Sequence, residues 1–402
     1  MRLMRTRNIA LLALSCCSTS AFADLAADYA ALVTESSYTN FLNQSLYTHN
    51  GNSRKFNSGA NRTAARDNIL NHFGSAGLQS SLESFTYSGA TGWNVVGVLP
   101  GRVTPQNVYL VGAHWDSTSP STAAPGADDN ASGTAGVMEA AKALGGKPFE
   151  STIVFVAFDA EEVGLIGSKR YVTAHAGQNV KAAIAMDMIA YNPATNHDKA
   201  YVYYKYANTG APLANALSSA FTQYGSGIVG EAASYTTYDM TDHAPFANAG
   251  YPAVAVLEYN VWSNPRYHTA QDSFDTPNYI DPAYGSKITR AVTGFLAGAA
   301  GALVTGDLDL DDDVDFDDLL GLAQHYGAST GGTWQTGDFT GEGAIDFDDL
   351  LQLAQTYGTG TALLTTDDFQ SDWSLARSLV PEPTTLALTS FALAFAVPRR
   401  RC

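Results

Sequence analysis

The body of this chain has no cysteine: Cys16, Cys17 and Cys402 lie near its ends, which excludes an internal disulfide framework and any thiolate metal site. Stability must then come from packing and bound metal. Basic charge is scarce too. Twenty-two Lys and Arg face 39 Asp and Glu, and the net charge of -17 sets up a field that repels nucleic acid and anionic membrane surfaces. No nucleic-acid partner is expected. The apolar stretch 384–397 is short for a membrane span, which takes about 20 residues.

Apolar residues are plentiful, at 45% of 402, enough for one large domain with appendages. At the N-terminus, Arg2, Arg5 and Arg7 precede the apolar run 9–14 and small residues ending Ala21-Phe22-Ala23, the order of a secretory signal peptide. Residues 1–23 are expected to be cleaved and the protein to be extracellular or at the cell surface. Lipid attachment at Cys16 is the alternative, to which Ala13-Leu14-Ser15 is a poor match.

Residues 24–304 alternate strand-like runs (95–99, 108–113, 153–158, 182–186, 200–204, 253–257) with helical spacing (131–144, 165–175, 213–224, 282–303). That alternation predicts an α/β fold with a mostly parallel central sheet and helices on both faces. Ligands of such sheets bind beyond the carboxyl ends of the strands.

Polar residues cluster at those ends. In VGAHWDS, His114 and Asp116 are separated by one residue at a strand end, so both side chains can point the same way, with Asp116 the natural orienting partner of a metal-bound His114. PGADDNASG offers Asp128 and Asp129 in a turn before a helix. AFDAEEVGLIGS ends a buried strand with Glu161 and Glu162, adjacent carboxylates that repel unless a cation compensates or one is protonated. AAIAMDMIAY places Asp187 at a strand end, and NPRYHTAQDS carries Tyr267 and His268.

Together with TDHAPFANAGYPAV, these runs resemble the bacterial leucyl aminopeptidase and aminopeptidase Y family of co-catalytic zinc exopeptidases, over roughly residues 94–302. The resemblance implies two zinc ions, one held by His114 and Asp187, the other by Glu162 and His268, with Asp129 bridging. It further implies Glu161 as the catalytic acid/base, Asp116 as the partner of His114, Tyr267 as an oxyanion stabiliser, and peptides with a free N-terminus as substrates. Asp242 and His243 match the family's Asp-His step and are read as scaffold or pocket wall. The disulfide that some members carry near the pocket has no counterpart in ASYTTYDMTDH, which leaves side-chain preference unread. His49, His72, His175, His197 and His325 are read as ordinary surface or core residues. Rivals on the same fold are a glutaminyl cyclase, which uses one zinc and lacks part of the ligand set, a metal-free binding protein, and a carboxypeptidase, for which no basic carboxylate anchor is evident.

Past Gly306 the texture changes. Residues 307–327 and 338–358 share DFDDLL, LAQ and YG, an internal duplication spanning 306–358. EF-hand-like loops collect oxygen ligands at positions one, three, five, nine and twelve, with a backbone carbonyl at seven. Loop one supplies Asp307, Asp309, Asp311, Asp315 and Asp318 with the carbonyl of Asp313. Loop two supplies Asp338, Thr340, Glu342, Asp346 and Asp349 with the carbonyl of Ala344. Loop-helix units without an entering helix resemble a dockerin type I module, which implies two calcium ions and a cohesin-like partner. Residues 359–379 read as a linker. Residues 380–402, with VPEP, an apolar stretch and Arg399-Arg400-Arg401, resemble a PEP-CTERM sorting tail processed by an exosortase, a permanent or transient membrane anchor being the alternative.

Overall fold

The Ser88-Gly89 pair, with φ of 47° and 78°, is a two-residue turn of the primed kind, and it folds the chain back into a hairpin. That hairpin, β1 (Gln79–Tyr87) and β2 (Ala90–Leu99), borders a sheet completed by β3 (Thr104–His114), β4 (Ser151–Phe158), β5 (Asn179–Met186), β6 (Lys199–Tyr204), β7 (Val229–Ser234) and β8 (Ala253–Glu258). The computed structural model describes residues 24–195, 198–237, 239–360 and 369–380. The expected signal peptide with Cys16 and Cys17, His197, and the tail beyond Val380 with Cys402 lie outside the described residues.

Strand order is β1-β2-β4-β3-β5-β8-β6-β7. The four central strands, β4, β3, β5 and β8, are parallel, as are β6 and β7, whereas β1–β2, β2–β4 and β8–β6 are antiparallel. The sheet is therefore mixed, and the expected parallel pairing holds at its centre. Hairpin-linked strands cannot be parallel, and β1 and β2 are such a pair.

The helices of this unit are α1 (Leu25–Ala31), α2 (Glu35–Asn40), α3 (Ala60–Ser75), α4 (Ala131–Leu144), α5 (Ile166–Ala174), α6 (Gly210–Tyr224), α7 (His243–Asn248) and α8 (Pro282–Ala299). Alternate strand residues face opposite cores. Val111, Ala113, Ile153, Phe155, Ile184 and Val256 pack with residues of α3, α4, α6 and α8, while Leu110, Val154, Val156 and Ala183 pack with Tyr171 of α5 and Phe246 of α7. Helices thus cover both faces. In α4 all residues but Lys142 are buried, and its small side chains, ASGTAG, let it lie close against the sheet. Asn130 caps α4 by accepting from Gly133 N–H, and Asp281 caps α8 by accepting from Tyr284 N–H.

The chain divides into two units after Leu303. The second unit contains α9 (Phe316–His325), α10 (Phe347–Thr356) and α11 (Phe369–Leu379). Asp315 and Asp346 start α9 and α10 with matching capping boxes closed by Asp318 and Asp349. The duplication shows in the backbone. Val314 N–H donates to Thr359 O at 2.9 Å and Val314 O accepts from Gly358 N–H at 2.8 Å, while Ile345 N–H donates to Ala328 O and Ile345 O accepts from Gly327 N–H, both at 2.8 Å. The expected linker 359–379 needs correcting: it contains α11, which packs on α9, with Trp373 edge-on to Tyr326 at 5.5 Å and Tyr357 donating to Asp372 at 2.7 Å.

Candidate active site

Three strands deliver site residues from their C-terminal ends: β3 ends at His114, β4 precedes Glu161 and Glu162, and β5 precedes Asp187. Asp129 sits in the loop before α4, and His268 follows β8 with a φ of 55°, a left-handed conformation of the kind found at functional sites. That loop is shaped by Gly126, whose φ is 54° and where a Cβ would meet Asp129 O at 2.4 Å. Buried Arg54 holds it further, donating to Gly126 O, Trp115 O and Leu46 O, each at 2.8 Å, and to Pro125 O.

All five expected zinc ligands converge. His114 Nε2 lies 3.3 Å from Asp129 Oδ1 and 3.5 Å from Asp187 Oδ1, and His268 Nε2 lies 3.1 Å from both Asp129 Oδ2 and Glu162 Oε2. Two ligand atoms on a tetrahedral zinc ion, each ~2.0 to 2.1 Å from it, are about 3.3 Å apart, so these separations suit zinc. Asp129 Oδ2, Glu162 Oε1 and Asp187 Oδ1 are buried without a hydrogen-bond partner, the condition of oxygens awaiting a cation. Imidazole and carboxylate are the donor set zinc takes. Glu161 Oε2 stands 3.9 Å from His114 Nε2, inside the cluster.

The electrostatics say the same. Burial pushes the Glu161 carboxyl well above its usual range, with Asp242, Asp187 and Glu162 adding to the rise. Burial with Asp129 pushes Glu162 up to about 8. Burial pulls His114 down, but Glu161, Asp187, Asp116 and Asp129 outweigh it and hold the imidazole well above its usual range. Groups raised in this way favour their protonated forms, and a dication bound among them would have to displace those protons.

Asp116 does more than the sequence suggests. His114 Nδ1 lies 3.2 Å from the Asp116 backbone oxygen and 3.5 Å from Oδ1, while the buried carboxylate accepts from Glu161 N–H at 3.1 Å and Glu162 N–H at 3.3 Å. It thereby fixes both glutamates. Tyr267 stacks on His268 at 3.7 Å between ring centroids and lines the pocket. Asp128 turns away from the cluster, accepting from Ala190 N–H at 2.9 Å and from Asn264 Nδ2 at 2.8 Å. Glu258 shares Asn264 with it at 2.9 Å; burial holds the Glu258 carboxyl well above its usual range and lifts Asp128 to about 6. Asp242 and His243 are buried, burial raising the first to about 7 and lowering the second to about 4.

Asp272 was missed by sequence reasoning: its carboxylate accepts from Asp128 N–H at 2.7 Å and Asp129 N–H at 3.0 Å, anchoring the bridging residue. Its signal was its place in the His268 run, YHTAQD. The other described histidines have ordinary partners: His49 with Asp275, His72 with Met138 O, His175 with Glu83 and His325 with Gly321 O.

Residues 94–294, half of the 402-residue chain, match the model of Peptidase family M28. The chain belongs to peptidase family M28. Leupeptin-inactivating enzyme 1 of Streptomyces exfoliatus is 34% identical over 209 residues, 49% of this chain and 44% of that protein. Aminopeptidase YwaD of Bacillus subtilis (strain 168) is 30% identical over 208 residues, 49% of this chain and 43% of that protein. This M28 chain thus spans under half the length of these relatives. Among solved structures, the Legionella pneumophila LapA aminopeptidase superposes with a TM-score of 0.60 at 21% identity, covering 72% of this chain and 79% of that one. The glutaminyl cyclase of Porphyromonas gingivalis gives 0.55 at 22%, covering 67% and 99%. At such identities the likeness is one of fold. Every residue of the M28 cluster lies inside the matched span.

In the second unit, side-chain oxygens of Asp307, Asp309 and Asp311 gather within 4.8 Å, as do those of Asp313, Asp315 and Asp318. Asp307 accepts from the N–H groups of Leu310, Asp311 and Asp312, and Asp338 from those of Gly341 and Gly343, so the two loops close alike. Asp318 accepts from Leu308 and Asp309 N–H, Asp349 from Phe339 and Thr340 N–H. Positive φ falls at the same places, Leu310 and Asp312 in loop one, Gly341 and Gly343 in loop two. Thr340 donates to Asp338 at 3.3 Å; Glu342 and Asp346 are exposed and Ala344 is half-buried.

Proposed function

We propose that this protein is an exported two-zinc aminopeptidase with a calcium-binding duplicated module. The observation that carries the reading is the convergence of His114, Asp129, Glu162, Asp187 and His268 around three buried carboxylate oxygens without partners. His114 and Asp187 would hold one zinc, Glu162 and His268 the other, and Asp129 would span both through its two oxygens. When bound, the zinc pair supplies Lewis acidity toward the scissile carbonyl and lowers the pKa of a water.

The chain's own residues do the rest. Glu161, inside the cluster and not needed as a ligand, takes a proton from the attacking water and returns it to the departing amine. Asp116 keeps Glu161 and Glu162 in register through their backbone N–H groups, and Tyr267, which lines the pocket, donates to the developing oxyanion in this reading. The complete ligand set favours hydrolysis over cyclase chemistry. Export rests on the N-terminal pattern and tail processing by an exosortase on the C-terminal one. Loops one and two would each hold calcium, Asp313 and Ala344 contributing carbonyls; a cohesin-like partner for that module is part of the same proposal.

Glu161→Gln should keep both zinc ions and lose at least about 10²-fold in turnover, whereas Glu162→Gln should lose zinc. Free peptides should be trimmed far faster than N-acetylated ones. Full activity of Glu161→Gln, equal rates on blocked peptides, or cyclisation of N-terminal glutamine as the main product would reject the assignment.

A further inference from the structure

The pocket around the zinc cluster continues into an apolar wall of Met188, Met240, Leu257, Val261 and Trp262, with Asp239 beside it. Asp239 and Met240 belong to the segment 235–242, which joins β7 to α7. Met240 is 56% exposed, so packing alone does not hold it. Backbone bonds secure the ends of the segment, Tyr235 N–H to Tyr204 O at 2.9 Å and Ala244 N–H to Thr241 O at 3.0 Å. Within it, Asp239 is tied from outside by a side chain. Lys205, just past β6, donates from Nζ to Asp239 Oδ1 at 2.5 Å and to Asn248 Oδ1, at the end of α7, at 2.8 Å.

The Lys205 side chain is 9% exposed and that of Asp239 52%. A lysine side chain covered along its length and held by fixed acceptors at its tip has little rotamer freedom left to lose, so it can serve as an anchor. Here it has two acceptors and the Tyr206 ring at 5.3 Å, while Tyr206 OH also donates to Asn248 Oδ1 at 3.1 Å. The ammonium is therefore the fixed end of the tie and the exposed segment the held end.

We propose that Lys205 is a positioning residue that latches Asp239 and with it the adjoining Met240, setting the pocket wall against which a bulky apolar N-terminal side chain of the substrate rests. The proposal rests on the aminopeptidase reading for its substrate and on this geometry for the latch. A small N-terminal side chain does not reach the wall and is indifferent to it. Because Asp239 is half exposed, salt weakens the latch.

The test uses the full-length, zinc-loaded chain and Lys205→Met, which keeps an apolar stem and removes the charge, with Lys205→Arg as the conservative control. For leucyl and phenylalanyl p-nitroanilides, Lys205→Met should raise KM about tenfold with kcat within about threefold, while KM for the alanyl substrate changes by less than about threefold. Zinc content should be unchanged and Lys205→Arg should restore most of the leucyl KM. Independently of activity, chymotrypsin should cut within 235–242 faster in Lys205→Met than in the parent, and 1 M NaCl should speed that cut in the parent alone. Equal KM ratios between leucyl and alanyl substrates, or equal cleavage rates in the segment, would overturn the latch. If the parent releases no amino acid from any of the three substrates, the aminopeptidase reading fails, and the chymotrypsin comparison still decides the latch.

Discussion

Replacing Asp116 by Asn exchanges one carboxylate oxygen for an NH₂ group in a buried place, and the consequence can be worked out. The carboxylate accepts from Glu161 and Glu162 N–H at 3.1 and 3.3 Å. An amide of the same shape has one acceptor oxygen, so one backbone N–H would face an NH₂ group and stay unsatisfied. A buried donor left in that state costs about 1 to 3 kcal/mol. Loss of a residue that orients metal ligands typically lowers metal affinity about 10- to 100-fold, or ~1.4 to 2.7 kcal/mol, the same range. Since the disturbed N–H groups belong to Glu161 and Glu162, the zinc that Glu162 and His268 would hold under the proposed assignment should leave first, and turnover should stay depressed even when zinc is saturating. Chelator-competition titration gives the stepwise affinities, and kcat at saturating zinc gives the second effect. If Asp116 acted through His114 alone, the other zinc would be lost first and turnover would recover with added metal. Either result, or zinc affinity within about twofold of the parent, would refute the reasoning.

Leu310 and Asp312 occupy left-handed conformations where loop two has Gly341 and Gly343; Leu310 there costs about 1 to 2 kcal/mol, and Asp312, which tolerates positive φ better than most residues, costs less. Part of that gain is offset by glycine's chain entropy of about 0.5 to 1 kcal/mol, so Leu310→Gly and Asp312→Gly should each tighten calcium at loop one by less than about tenfold, read by calorimetry; weaker binding would contradict the account. His243 is held neutral by burial, at about 4 against an ordinary 6.5. Its folded pKa is depressed, so its contribution, up to about 3 kcal/mol, is present above about 6.5 and lost as pH falls toward 4. Denaturant titrations at pH 7 and 4.5 should show a smaller acid loss in His243→Gln than in the parent, and equal losses would remove His243 from the explanation.

The His and carboxylate cluster was legible because its residues sit at the ends of strongly apolar strands: β3, β4 and β5 announce themselves, and the polar residue at or just past the end of each is conspicuous. Asp272 and Arg54 were not, because both act on backbone groups distant in sequence, Asp272 on Asp128 and Asp129 and Arg54 on Gly126, and no local period reports such contacts. Strand β1 escaped because its side chains are largely exposed and it owes its place to hairpin pairing with β2. Helix α11 hid for a related reason: Trp373 and Asp372 have meaning only against Tyr326 and Tyr357. The conformation of Leu310 could have been read by aligning the repeats, since Gly341 occupies the matching place, whereas leucine by itself gives no sign of it.

The reciprocal backbone pairing of Val314 with Gly358-Thr359 and of Ile345 with Gly327-Ala328 makes the duplicated module indivisible. Each loop is closed by the chain that leaves the other repeat's helix, so a chain ending after Gly327 would lack the partners of Val314. Half the module would not be half as stable. It would be an open loop with the backbone groups of Val314 left without these partners.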